Sequence, residues 1–549
     1  MKKWEIIHKG KTDDLVSMLL KNRGIIGKKD ISCFLNPPDP AVLTPRDVNI
    51  ETTSLAKAIK RIQKAIETKE SIVVYSDYDA DGITAGAVMW ETLNQLGARV
   101  MPYIPHRVDE GYGLSVKGID TVKELYNPTL IITVDHGITA REKVVYAKTL
   151  GIEVIVTDHH VKPALLPDCT VVHTTSLCGA GVSWFLAKEL LRAMNHKLPV
   201  AFSMELLSLA AIGTIADMVP LVGANRSIAR FGLAAINETK RVGLEALMAD
   251  AGLTKGTVGT YDISHMIAPR LNAMGRIEHA LDALRLLCTK QRDRADLLAQ
   301  KLGMTNRERQ QLTVDTTLHA KNFLTSRSPS IHSHKLIFLS HESYNQGVIG
   351  LVAGKLVEEY YRPAIVVSKG EVVSKASARS VAGFNIVEAI KTCSDILIDV
   401  GGHPMAAGFT VETKHLTALQ DRLENLADKE LDEEKLTRLL RIDLEIPLET
   451  ATEALWQQIR GFEPFGFGNA EPVFATRGVV VGDVRLVGKD KKHLKLRIQS
   501  LTIDAIAFGL GELYGKFTPD KPVDIAYSID MNTWNGNRKL QLKIKDIRV

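Results

Sequence analysis

SIVVYSDYDADG, residues 71–82, is a run of strand-forming apolar residues that breaks into three acids, Asp77, Asp79 and Asp81. The pattern recurs twice. LIITV (residues 130–134) runs into Asp135 and His136, and EVIVT (residues 153–157) into Asp158, His159 and His160. Short continuous Val/Ile runs are typical of parallel strands buried on both faces. In open α/β sheets, ligands bind outside the carboxyl ends of the strands. Carboxylates and imidazoles stacked at one sheet edge are costly unless cations compensate them. The pattern therefore predicts a metal site on a parallel α/β sheet.

Working outward, helical and strand patterns alternate over residues 46–288, which argues for one parallel-sheet domain. Within it, MELLSLAAIGTIADMVPL (residues 204–221) predicts a buried helix that delivers a single acid, Asp217, ahead of Pro220. An acid in an apolar run needs a partner. Residues 1–45 are expected to be a short helical segment ending in the turn-rich NPPDP (residues 36–40). The charged, helix-favouring text from residue 289 predicts a long helix joining two domains, with SRSPSIHS (residues 326–333) as linker, so that residues 289–331 form the connection. Residues 332–432 are expected to form a second, smaller α/β domain, holding the Gly-rich stretches GVIGLVAG (347–354) and GGHPMAAG (401–408). From 433 to 549, about five alternating strands with Gly and Asn turns suggest a β-barrel like the oligonucleotide-binding (OB) fold.

Composition narrows the class. The 549 residues are 45% hydrophobic and 24% charged, as in ordinary globular proteins. A net charge of +5 permits a nucleic-acid partner without demanding one. Five scattered cysteines without a C-x-x-C pair predict neither a disulfide framework nor a structural zinc site, and suit a reducing cytosol. No run of about 18 apolar residues predicts a membrane span, and the N-terminus lacks the apolar core of a signal peptide.

Asp79 and Asp81 stand two apart after one strand, Asp135 follows a second and His159 a third. With Asp217 they form an oxygen-rich set containing one imidazole, which suits Mn²⁺ or Mg²⁺. Such a set can hold two ions ~3.5–4 Å apart, which clamp the attacking and leaving oxygens of a phosphoryl displacement. A lone acid after a strand is ordinarily a helix cap or a turn former. Three such strands with a double histidine go beyond capping.

These residues also resemble a family. DYDADG (77–82), VDHG (134–137), TDHH (157–160) and ADM (216–218) are similar, in order, to the motifs of the DHH phosphoesterase superfamily, and GGHPMAAGF (401–409) to its DHH-associated domain. IPHRVDEGYGLS (104–115), APRLNAMGR (268–276), GVIGLVAGKL (347–356), SARSVAGFNI (377–386), PFGFGNAEPVF (464–474) and NTWNGNRKLQL (532–542) resemble the RecJ family of single-strand-specific exonucleases. The resemblance runs from about residue 15 to the end.

It implies that Asp79, Asp81, Asp135, His159 and Asp217 hold two divalent cations, Mn²⁺ or Mg²⁺. It places Asp77, an extra acid, Asp158, which orients histidine, and His160, which meets the scissile phosphate or leaving group, in the catalytic set. Arg107, Ser377 and Arg379 are implied to take the terminal 5′-phosphate, and guanidiniums with a hydroxyl are good donors for it. Asn272 and Arg276 are implied to guide the strand, and His403 to act from a Gly-rich turn. In the last domain a basic hairpin (Arg485, Lys489, Lys491, Lys492) and Trp534, in an Asn/Gly-rich turn, suggest a groove with a stacking surface, while Phe508 is expected in the core. Four residues at three places depart from the pattern. Tyr75 stands where some relatives carry a metal-binding histidine, His136 replaces an asparagine, and His173-Thr174 falls where Asn-Pro is usual.

The expected function is exonucleolytic degradation of single-stranded DNA from 5′ to 3′ by two-metal hydrolysis, releasing 5′-mononucleotides, in DNA repair and recombination. The resemblance implies a bacterial-type cytoplasmic monomer, at the nucleoid during repair, with a helicase and a single-strand-binding protein as further partners. Two alternatives stand beside it. One is a DHH-type phosphodiesterase for short oligonucleotides or cyclic dinucleotides, against which the basic C-terminal barrel speaks. The other is a non-catalytic single-strand-binding replisome scaffold, against which the complete ligand set speaks.

Overall fold

Five strands, Ser71–Ser76, Arg99–Tyr103, Leu130–Val134, Glu153–Asp158 and Thr170–His173, form an all-parallel sheet. Numbered along the chain, their spatial order is 2-1-3-4-5. The order reverses beside the first strand, and the crevice at such a switch point is where α/β sheets receive ligands. The acids after the first and third strands flank that crevice. Alternate residues of the strands enter two cores: Ile72, Val74, Ile132 and Ile155 on one face, and Val73, Tyr75, Ile131 and Val156 on the other. Burial on both faces is why these strands read as unbroken apolar runs. Tyr75, fully buried with its ring 4.9 Å from that of Tyr103, belongs to this packing.

A computed structural model of the chain describes residues 2–8, 14–107, 109–196, 199–327, 334–499, 503–517, 521–534 and 537–549. The chain divides into two compact units, one of residues 6–303 with 441–549 and the other of residues 1–5 with 304–440. The boundary falls inside a 36-residue helix, Arg292–Arg327, which occupies the place expected for the connecting helix. Of the expected linker 326–333, residues 328–333 lie outside the described residues. Among the described residues no helix is long and apolar enough to cross a membrane.

The second unit carries a five-stranded mixed sheet in the order Leu397–His403, Ala406–Glu412, Val373–Arg379, Ala364–Ser368, Ile337–His341. The C-terminal part of the first unit belongs to an eight-stranded sheet rather than about five strands. Its order is Lys3–His8, Leu439–Glu445, Phe474–Val479, Val523–Trp534, Asn537–Arg548, Ile503–Ala507, His493–Ile498, Val481–Val487.

Residues 1–45 are not a separate helical segment. They contribute the edge strand Lys3–His8, and the helices Leu15–Lys21 and Lys28–Leu35 bury Leu19, Leu20 and Phe34 in one core with Leu444, Phe462 and Tyr527. Phe508 also differs from expectation. Ala505 and Ala507 point inward, so strand alternation turns Phe508 outward, where it is 61% exposed beside the His493 ring at 5.3 Å. Trp534 closes a strand, paired with Asn537, and its side chain lies outside the described residues.

Candidate metal centre

The acid loop after the first strand is held by its own helix. Asp79 caps the helix Ala80–Gln95, accepting from the Asp81 and Gly82 amides at 3.0 Å each. Asp81, in the first turn, is buried, and its two oxygens accept from Gly179 N (2.6 Å) and Ala180 N (2.8 Å) at the start of the helix Gly179–Ala193. Asp135 takes a left-handed φ of 69° where its strand ends, and its amide donates to Thr157 O at 3.0 Å. Asp217 is the C-cap of the helix Val200–Ala216, whose buried face confirms the expected apolar helix.

These elements converge on His159. Its Nε2 lies 3.1 Å from Asp135 Oδ1, 3.8 Å from Asp81 Oδ2 and 3.8 Å from Asp217 Oδ2. Three overlapping groups have ligand atoms within 4.8 Å of one another: Asp77, Asp79 and Asp135; Asp81, His159 and Asp217; and Asp135, His159 and His160. Asp135 and His159 each belong to two of them. Asp77, singled out in the sequence as an extra acid, stands among the prospective ligands.

The electrostatics fit divalent cations. Burial and then the charge of Asp79 push the Asp77 carboxyl well above the usual range. Burial and Asp81 raise Asp79, and burial with the surrounding acids pushes Asp135 well above the usual range. Asp217 is pushed up to about 8 by burial, Asp81 and Asp79. Asp135 Oδ1 is buried and accepts no hydrogen bond. Crowded carboxylates of this kind take up either protons or cations. Burial holds His159 below the usual imidazole range, and a neutral imidazole is the form that ligates metals.

His160 is oriented by Asp158. Its Nδ1 lies 2.7 Å from Asp158 Oδ1, which also accepts from the His159 and His160 amides, while Oδ2 accepts from Ile138 N at 2.8 Å. Burial alone would raise Asp158, but the His160 hydrogen bond and charge outweigh it and hold the carboxyl low. His160 is raised to about 9 against its own burial, chiefly through the Asp158 hydrogen bond. The departures from the family pattern have structural partners here. His173 Nε2 meets His160 O at 2.7 Å, and the buried His136 meets Tyr75 O at 3.0 Å.

One residue beside the site escaped sequence reasoning, and the structure places three that did not. Tyr112 OH lies 3.4 Å from His160 Nε2, and its only signal was its place inside the quoted stretch 104–115. Asn272 Oδ1 accepts the Ala80 amide at 2.7 Å, so this residue also shapes the acid loop. Arg276 ends the same helix, Ala268–Ile277. Arg107 places its guanidinium 4.9 Å from the Tyr78 ring centre, in the first unit.

Ser377, Arg379 and His403 belong to the second unit. Arg379 Nη1 donates to Ser377 Oγ at 3.2 Å, and a Cβ at Gly350, in the first turn of the helix Ile349–Tyr360, would lie 2.8 Å from that Oγ. His403 pairs with Ala406, which pairs with Arg379, so both side chains share one sheet face.

Comparison with known proteins agrees with this layout. The chain matches the DHH family N-terminal domain over residues 71–214, the DHHA1 domain over 333–429 and the RecJ OB domain over 442–546. The single-stranded-DNA-specific exonuclease RecJ of Bacillus subtilis (strain 168) is 38% identical, with 97% of this chain and 68% of that protein aligned. RecJ of Escherichia coli (strain K12) is 30% identical over 90% of each chain. The crystal structure of RecJ from Thermus thermophilus in complex with Mn²⁺ superposes with a TM-score of 0.83 at 31% identity, covering 97% of this chain and 76% of that one.

Proposed function

The chain belongs to the RecJ family of single-stranded-DNA-specific exonucleases, and from that premise we propose that it hydrolyses single-stranded DNA from the 5′ end, releasing 5′-mononucleotides. The observation that carries the reading is the convergence of Asp77, Asp79, Asp81, Asp135, His159 and Asp217 at the switch point of a parallel sheet. Two divalent cations, Mn²⁺ or Mg²⁺, held by these residues would supply Lewis acidity and a more acidic water for in-line attack on phosphorus.

The chain's own groups do the rest. Asp158 keeps the Nδ1 proton on His160, so that Nε2 presents positive charge or a proton to the scissile phosphate and its departing 3′ oxygen. Water adds to phosphorus and the P–O3′ bond breaks. The shortened strand keeps a 5′-phosphate and is again a substrate. Within the second unit, Ser377, Arg379 and the first turn of the helix Ile349–Tyr360 suit a phosphate of this kind, and Arg107, in the first unit, is read as a phosphate contact in its own right. Arg276, His403 and Trp534 are read as strand contacts, and Asn272 as a residue that guides the strand while shaping the acid loop. The OB part, with its basic hairpin and exposed Phe508, is read as the track for the incoming strand.

The setting we infer is the cytoplasm, in repair and recombination, acting as a monomer on strands exposed by a helicase and coated by a single-strand-binding protein. Digestion of 5′- and 3′-labelled oligonucleotides with Mn²⁺ tests the reading. Mononucleotide release from the 5′ label first is expected, and equal attack on both ends, or activity on duplex alone, would refute it.

A further inference from the structure

PFGFGN, residues 464–469, has no role in the mechanism above, yet it lies against the segment that carries Asp217. Gly466 and Asn469 exchange both main-chain hydrogen bonds (3.0 and 3.1 Å), leaving Phe467-Gly468 at the tip of a tight turn. Asn469, almost fully buried, ties the turn down by donating to Phe462 O (2.8 Å) and Pro464 O (2.9 Å) and accepting from Arg23 Nε (3.2 Å). From this fixed turn the Phe467 carbonyl accepts the Leu221 amide at 2.8 Å. Both flanking glycines permit the approach. A Cβ at Gly466 would stand 2.6 Å from Leu221 Cδ1, and one at Gly468, where φ is +73°, 2.8 Å from Pro220 Cβ and 3.0 Å from its Cα.

Asp217 sits between two anchors. Upstream, its amide closes the helix on Gly213 O at 2.9 Å. Downstream, Met218 reverses the chain with a φ of 59° and is 65% exposed, so packing at 218 does not hold the acid. The next fixed points are Pro220, whose carbonyl accepts from Asn225 Nδ2 at 3.1 Å, and the buried Leu221. We propose that the turn at residues 464–469 is a positioning element for Asp217: by pinning Pro220 and Leu221 it sets the geometry of a metal ligand from the C-terminal part of the chain.

The proposal rests on the reading that Asp217 binds metal, and its test separates the two. Mn²⁺ binding is followed by loss of the free-ion electron paramagnetic resonance signal, with thermal melting alongside. In Gly468→Ala, affinity at one of two sites falls ~10-fold or more, as when support behind a ligand is lost. Gly478→Ala is the control, because it carries the same left-handed strain (φ +67°) with open space around its Cβ. It loses stability and keeps wild-type Mn²⁺ affinity.

Gly466→Ala, which has no such strain, also weakens binding, and the double variant Gly466→Ala/Leu221→Ala, which removes the clashing atoms, regains it. Phe467→Ala keeps the main-chain contact and binds Mn²⁺ normally. Wild-type affinity at both sites in Gly468→Ala, or equal loss in Gly478→Ala, overturns the proposal. Should Gly468→Ala not fold, the Gly466 pair decides: loss and rescue support the brace, and no change overturns it. A wild-type chain that binds no Mn²⁺ sinks the metal reading itself.

Discussion

Gly179→Ala should disable the centre without replacing a ligand. A Cβ there would lie 2.4 Å from Asp135 Oδ1, 2.5 Å from its Cβ and 2.6 Å from its Cγ. Carbon atoms rest roughly 3.5–4.0 Å apart, so one side must yield by about 1 Å. The helix cannot retreat freely, because Gly179 N and Ala180 N hold Asp81 at 2.6 and 2.8 Å. Asp135 is the softer side, yet its amide is tied to Thr157 O. Overpacking of this kind costs ~1–3 kcal/mol, which a large protein survives. A misplacement of about 1 Å in a reacting constellation costs ~10²-fold in rate. The assay is Mn²⁺-dependent release of a 5′ label, with a melting curve to show that the variant folds. Gly181→Ala, whose Cβ would crowd Leu177 Cβ at 3.1 Å and meets no ligand, is the matched control. A folded Gly179→Ala that turns over like the wild type would refute the claim that Asp135 works from this position.

Phe508→Ala should weaken binding of a long oligonucleotide at least ~5-fold, since a stacked base contributes ~1–3 kcal/mol, while hydrolysis of a dinucleotide stays unchanged; fluorescence anisotropy reads the first, and an unaltered affinity contradicts the stacking role. Arg226→Met should lower stability by roughly 2 kcal/mol or more in a denaturant titration, because Phe34 O and Glu463 O lose their donor while Phe462 O keeps Asn469 Nδ2, and each buried acceptor left unpaired costs ~1–3 kcal/mol. The guanidinium serves Phe34 O, Phe462 O and Glu463 O and lies 4.0 Å from the Phe34 ring centre. Chelation makes a signed prediction. Asp77, Asp79, Asp135 and Asp217 are all raised, the last to about 8, so the metal-free fold binds more protons than the unfolded chain above the ordinary carboxylate range. Its stability therefore falls as pH rises toward 8, and Mn²⁺ should raise the melting temperature more at high pH than at low; a metal-free melting temperature that climbs over that window contradicts it.

The catalytic sheet was legible because burial on both faces writes itself as unbroken Val/Ile runs, and because its acids follow the strand ends directly. The order of those strands was not, since crossover direction leaves no local mark. Long-range packing was equally silent. Nothing near Leu19, Leu20 or Phe34 announces that they share a core with Leu444 and Phe462 from the far end of the chain. The outward turn of Phe508 was written in the alternation of Ala505 and Ala507, and the weight given to an aromatic after an apolar stretch hid it. Asn272 was implied to guide the strand only through the resemblance, whereas its hydrogen bond with the Ala80 amide, 192 residues away, is visible only in three dimensions. These ties also bear on experiment. Removing the chain beyond residue 440 would strip Arg226 and Leu221 of their partners in residues 461–469, so the track is better tested by a surface change such as Phe508→Ala.

The most direct measurement is anomalous scattering from crystals grown with Mn²⁺. Two peaks are expected, ~3.5–4 Å apart, enclosed by Asp77, Asp79, Asp81, Asp135, His159 and Asp217, with Asp135 between them. An empty pocket at saturating Mn²⁺, or ions bound without Asp135 and His159, would contradict the account.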